Sequence, residues 1–154
     1  MPESPPFGTT SNRLLSRLSR EDFERLAPHL EKTDLPVRYR LEIRNRRIEH
    51  VYFLESGFAS VVANGREDRS IEVGLIGREG MTGLAVLMGT DRTPYDTYIQ
   101  LGGKGWRTKV DNFSRALKQS PTLHGLLLQF AHAFIVQAAR GAATRGDPRA
   151  QHFG

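Results

Sequence analysis

A chain of 154 residues, 38% hydrophobic and 25% charged, is long enough for one domain with a core of its own. The absence of cysteine excludes a disulfide framework, a thiolate zinc site and a cysteine-held iron–sulfur cluster. The formal charge of +5 is concentrated in Arg38–Arg47 and Arg140–Arg149; it reads as a mildly basic, solvated surface rather than a stripe for nucleic acid. No apolar run approaches the roughly 20 residues of a membrane span. The start, MPESPPFGTTSN, lacks the basic residues and apolar centre of a signal peptide. A cytoplasmic protein without a membrane segment is the expectation.

Residues 1–10 hold three prolines and read as a disordered lead. Asn12 to Leu18 is a short apolar turn. Ser19 with Asp22 resembles a capping box, and Phe23, Leu26, Ala27 and Leu30 follow at helical spacing. From Leu35 to Val110 the texture is that of strands: Leu35–Tyr39, His50–Leu54, Phe58–Ala63, Ser70–Leu75, Thr97–Leu101 and Trp106–Val110. Asn64-Gly65 is the strongest hairpin signal, because a type I′ turn needs positive φ at both central residues. Leu84–Met88 is an apolar turn or short helix. Short strands with regular turn signals predict a sandwich, roll or barrel.

Within this region Ile71, Val73 and Leu75 alternate as a strand with one buried face. The strand opens into Gly77, Gly80 and Gly83, with Arg78 and Glu79 between the first two. Glycines permit positive φ and close backbone approach, so successive N–H groups can face a small anion. A tight bend with two solvated charges is the alternative reading of the same residues.

Asp111 is the expected N-cap of a helix over Asn112–Lys118. Ser120 caps a longer helix with Pro121 at its first position, ending near Arg140 at Gly141. Residues 141–154 read as a flexible tail. In the long helix Leu123, Leu127, Phe130, Phe134 and Gln137 form one stripe, and Leu128, Ala131, Ile135 and Ala138 a second. Two stripes point to two partners. The expectation is that the Leu123, Leu127, Phe130 and Phe134 stripe packs on a second copy across a two-fold axis.

The order of helical lead, β-roll with a glycine cassette, short helix and long apolar helix resembles the sensory domain of catabolite-activator/FNR-type bacterial transcription regulators. The likeness lies in NRLLSRLSREDFERLAPHLE, IEHVYFLESGFASVV, IEVGLIGREGMTGL and SPTLHGLLLQFAHAFIVQAA, and spans about residues 11–140. It implies a mainly β fold with flanking helices: a jelly-roll cyclic-nucleotide-binding-like domain with its roll over about 35–110 and a dimerisation helix over about 121–140. It also implies effector binding around Gly77, Arg78, Glu79, Gly80, Arg92, Tyr95 and Thr97.

Two features depart from that pattern. Cyclic-nucleotide-binding members carry a Gly-Glu pair, whose acid accepts from the ribose, and a later Arg-Ser or Arg-Thr for the cyclic phosphate. Here Arg78 separates Gly77 from Glu79, and Tyr95-Asp96 stands where the later pair falls. An aspartate beside a phosphate is repulsive, so another anionic effector, or none, is expected. Only 14 residues follow Arg140, too few for the helix-turn-helix module of such regulators. The expectation is therefore a truncated, dimeric effector domain, with a ligand-free interaction protein as the alternative.

Enzymatic readings have less support. His50 stands alone in the strand region, and His124 and His132 lie eight apart with no acid between them. A cupin-like metal site needs a close histidine pair plus a carboxylate. No P-loop, dinucleotide fingerprint or nucleophile elbow occurs. Trp106, the only tryptophan, is expected to anchor the roll.

Overall fold

The computed structural model describes residues 4–64 and 70–146. Two short helices lead: α1 (Arg13–Arg17) and α2 (Arg20–Leu26), the latter running into a 3-10 turn at Ala27–His29. The Asn12 side chain caps α1 and the Ser19 hydroxyl caps α2, accepting from the Asp22 N–H at 3.1 Å. The Asp22 carboxylate does not close the capping box. It is buried and accepts from the hydroxyls of Ser120 and Thr122, at 2.6 and 2.8 Å. Ahead of these helices, Phe7 meets Phe23 edge-on at 5.6 Å.

Seven strands follow: β1 (Glu31–Leu35), β2 (Arg40–Glu42), β3 (His50–Leu54), β4 (Phe58–Asn64), β5 (Ser70–Ile76), β6 (Asp96–Leu101) and β7 (Gly103–Lys109). The predicted strand over Leu35–Tyr39 is thus split. Pro36 brings no N–H to a ladder, and Arg38 turns back at φ 74°. The strands form two antiparallel sheets, β1-β7-β3 and β2-β6-β4-β5. β4 and β5 pair to the end, Asn64 opposite Ser70; the predicted Asn64-Gly65 turn lies outside the described residues.

β3 is apolar along its length because both faces are covered. Val51 and Phe53 join a core with α1, α2 and the C-terminal helices. Tyr52 and Leu54 join Leu35, Leu41, Ala59, Val61, Ile76 and Ile99 inside the roll. Trp106 lies buried on β7 and donates from its indole nitrogen to Glu55 at 2.6 Å. β5 departs from the predicted alternation: Ile71 and Leu75 are exposed. Val61 pairs with Gly74 and Val62 with Glu72, so Val73 is the extra residue of a bulge. A bulge breaks the period of two.

Three helices complete the chain: α3 (Leu84–Leu87), α4 (Val110–Gln119) and α5 (Pro121–Gly146). α4 starts earlier than predicted. Asp111 lies in its first turn rather than capping it. Ser120 does cap α5, accepting from the Leu123 N–H at 3.1 Å. α5 passes through Gly141 to Gly146, since alanines follow that glycine and a helical glycine costs only about 1 kcal/mol relative to alanine. The stretch Pro121–Gly141 is also long and apolar enough, by length and composition, to cross a membrane, contrary to the sequence reading. Here one side of it packs on the protein, with Leu123, Leu127 and Ala131 buried.

α5 meets the second sheet through two rings seated on glycines. Phe134 lies over Gly74 in β5, and Phe130 over Gly80 in the following bend, each so close that a Cβ on the glycine would collide with the ring. Gly80 has no positive φ to preserve, so its constraint is steric and comes chiefly from the ring. Gly80→Ala is expected to cost about 1–3 kcal/mol, the usual range for overpacking, and distinctly less in a Phe130→Leu background. Urea unfolding of the four variants of this cycle checks it; an equal cost in both backgrounds would refute the ring seat.

Candidate functional site

A cavity of about 550 Å³ lies between the second sheet, α3, the loop that follows α3, and α5. Its walls are largely apolar: Val61 from β4, Val73 and Ile76 from β5, Leu84 and Ala85 from α3, and Phe134, Ile135 and Ala138 from α5. Polar groups come from Glu42 at the end of β2 and from Thr90, Arg92, Thr93 and Tyr95 in the loop after α3.

Glu42 is the most constrained of these. One carboxylate oxygen accepts from the Gly83 N–H at 3.0 Å and the other from the Thr97 hydroxyl at 2.8 Å. Gly83, at φ 85°, opens α3 and has no room for a side chain against Val51. The backbone N–H that begins the helix therefore already has a carboxyl partner from within the chain. Burial raises the Glu42 pKa above the ordinary carboxylate value, and its two hydrogen bonds oppose that rise.

Arg92 stands on the cavity wall but is engaged elsewhere. Its Nη1 donates to the Asn45 carbonyl at 2.9 Å, and its Nε lies 3.7 Å from Asp91. Tyr95 lines the cavity and is partly exposed. Thr97 is fully buried and contributes by holding Glu42. Asp96 is not on the wall; its carboxylate accepts from the Arg44 N–H at 2.9 Å.

The predicted glycine cradle lies outside this cavity. Gly77, Arg78, Glu79 and Gly80 form a turn closed by the Gly80 N–H on the Gly77 carbonyl, with the Glu79 carboxylate accepting from the Gly77 N–H at 3.1 Å. The turn is tied to α1. The Arg13 N–H donates to the Arg78 carbonyl at 2.7 Å, and the buried Asn12 amide donates to the carbonyls of Gly80 and Leu54 at 2.8 and 2.7 Å. These contacts engage the Gly77 and Gly80 N–H groups and three carbonyls of the bend within the chain itself. Of the seven predicted residues, the fold thus brings Arg92 and Tyr95 to the wall and places Thr97 directly behind it.

Glu42 was missed by sequence reasoning, although a signal was present. It is the one acid within the arginine-rich Arg38–Arg47 run, and Leu41 beside it is buried. Among the described residues, no group of three or more His, Asp or Glu side chains is placed to hold a metal.

No protein-family model and no curated protein matches this chain. Solved structures do. The c-di-GMP-responsive global regulator CLP from Xanthomonas campestris superposes with a TM-score of 0.68 at 16% identity, covering 82% of this chain. This chain spans 64% of the length of that one. A cyclic nucleotide-binding domain from Methylobacillus flagellatus gives 0.67 at 12% identity, covering 88% of this chain and 79% of the other. The regulatory subunit of a cAMP-independent protein kinase A from Trypanosoma cruzi, bound to guanosine, gives 0.62 at 12% identity, covering 96% and 45%. The fold is that of cyclic nucleotide-binding domains: antiparallel sheets with flanking helices and a C-terminal helix, as the resemblance implied.

The Glu42 environment has a measurable pH signature. With its folded pKa above the unfolded value of 4.5, the native state holds the proton more tightly. That contribution to stability is full below the unfolded pKa and is lost as pH rises through the folded one. Melting temperatures of wild type and Glu42→Gln between about pH 4 and about pH 7 should diverge in favour of the variant as pH rises. A difference that stays constant with pH would contradict this reading.

Proposed function

We propose that this chain is the effector-sensing and dimerising domain of a transcription regulator of the catabolite-activator/FNR type. The observation that carries the reading is the shared wall. Ile135 and Ala138 of α5 face the cavity directly, and Phe134 faces it while resting on Gly74 of β5. A molecule in the cavity touches α3, the sheet and α5 together. An effector shifts a two-state equilibrium only by the difference in its affinity for the two states. A ligand held by α3 and α5 has such a difference whenever those helices move relative to each other. CLP, a structural neighbour, is described as c-di-GMP-responsive and regulates gene expression; the analogy supports a sensing role.

Hydrogen exchange tests this mechanism. A ligand that binds in the cavity should change exchange rates in residues 84–88 and 128–139 and leave β1 and β7 unaltered. Binding that leaves both helical segments unchanged would refute the role of α5.

The burial pattern of α5 favours a second copy on a different face from the expected one. Leu123 and Leu127 are buried in this chain's own core, and Phe130 and Phe134 are seated on its glycines. Leu128 and Ile135, from the other stripe, stand 37% and 46% exposed. Only 17% of the most apolar 18-residue window of α5 is buried within the chain. Such an uncovered apolar helix suits a parallel partner helix. Sedimentation should show a dimer for the wild-type chain and a folded monomer for Leu128→Glu/Ile135→Glu. A monomeric wild type would exclude the dimer.

A further inference from the structure

We infer that the cavity effector is an uncharged molecule with an apolar body and a hydroxyl or N–H donor directed at Glu42, and that phosphate-bearing and other anionic ligands are rejected. This inference rests on the reading of the cavity as the effector site and specifies its chemistry.

Three observations lead to it. The first is the position of the Glu42 carboxylate. It bridges the Gly83 N–H and the Thr97 hydroxyl, so the two donors beside it are already engaged. To seat a phosphate there, Glu42 must be displaced, which strips a buried carboxylate of both hydrogen bonds, or must remain beside a second negative charge. The first leaves a charge without partners in an apolar surround. The second is repulsive at short range in a medium of low dielectric.

The second observation concerns the cation. Arg92 is the arginine on the wall, and its guanidinium already donates to the Asn45 carbonyl and faces Asp91. A bidentate anion contact requires two parallel N–H groups from one guanidinium. Arg92 supplies them only by leaving these partners. Arg78, the other cation considered for the role, belongs to the turn tied to α1.

The third is the remaining lining. Val61, Val73, Ile76, Leu84 and Phe134 give a volume that favours a molecule with few polar atoms. In its ionised form, at pH above its raised pKa, Glu42 has about four acceptor positions and no donor. With two filled by Gly83 and Thr97, Glu42 still accepts from a ligand hydroxyl or N–H. At Glu42 the polar match is therefore a donor on the ligand, and an anionic group placed there brings only acceptors.

Matched probes separate charge from shape. N-phenyl-1-naphthylamine is neutral, apolar and carries one N–H. 1-Anilinonaphthalene-8-sulfonate has the same ring skeleton with a sulfonate added. Adenosine and cyclic AMP form a second pair that differs by the cyclic phosphate. Fluorescence titration of the wild-type chain should show the neutral naphthylamine binding at least tenfold more tightly than the sulfonate. Calorimetry should show no binding of cyclic AMP. Glu42→Gln, which removes the charge and keeps the shape, should narrow the gap within the naphthylamine pair. Ala138→Trp, which fills the cavity from a half-buried position on α5, should abolish naphthylamine binding.

The outcomes are distinct. If the sulfonate or cyclic AMP binds the wild type as tightly as its neutral counterpart and Ala138→Trp blocks it, the effector site stands and the uncharged-ligand inference fails. If the gap persists unchanged in Glu42→Gln, the carboxylate is not its origin and the inference fails likewise. If no probe binds, or if binding survives Ala138→Trp, the cavity is not the site and both readings fall.

Discussion

The contact between α5 and the second sheet organises this molecule. Two phenyl rings on successive turns, Phe130 and Phe134, rest where Gly80 and Gly74 present bare backbone. Absent side chains on the sheet let the helix approach closely, and the rings fill the space that a Cβ would take. The approach also sets the cavity. Phe134 is one of its walls, and Ile135 and Ala138 face it from the next positions on the helix. The bend that carries Gly80 is fixed from its other side by Asn12, whose single amide bonds both Leu54 and Gly80 while its oxygen caps α1. Lead helix, bend and C-terminal helix are thereby one mechanical unit.

The electrostatics of the cavity follow from a second interior contact. A carboxylate from the short strand β2 reaches the start of α3 and takes the backbone donor there. Glu42 is held in a place where burial disfavours its charge, and two hydrogen bonds offset part of that cost. The consequence is a largely apolar cavity with a buried carboxyl group on its wall. The predicted aspartate lies elsewhere: Asp96 accepts from the Arg44 N–H, and the carboxyl group on the cavity wall is that of Glu42.

Local features were legible wherever the signal was itself local. Ser120-Pro121 marked the start of α5, Ser19 the start of α2, and the apolar HVYFL run a strand. The order of these elements was enough to place the fold. The site was legible only in part. Arg92, Tyr95 and Thr97 come together, whereas the four residues from Gly77 to Gly80 serve a turn. A glycine is compatible with an anion nest and with a ring seat alike, and nothing in IEVGLIGREGMTGL distinguishes them. For Gly74 and Gly80 the ring seats come from Phe134 and Phe130, some fifty to sixty residues further on. The bulge at Val73 was hidden for a related reason: it depends on the register with β4, not on the composition of β5.

By itself, the sequence determined the class of fold, the succession of helices and strands, and the presence of more apolar surface on the last helix than one core needs. These follow from periodicity, capping and turn chemistry, which act over a few residues. Only the tertiary structure decided which residues of that helix are buried, which glycines border a cavity and which carboxyl group lines it. Those outcomes depend on contacts such as Glu42 with Gly83 and Thr97, or Asp22 with Ser120 and Thr122, whose partners lie far apart along the chain. Burial then gives each such pairing its energetic weight, because a polar group without a partner is costly only once water has been excluded.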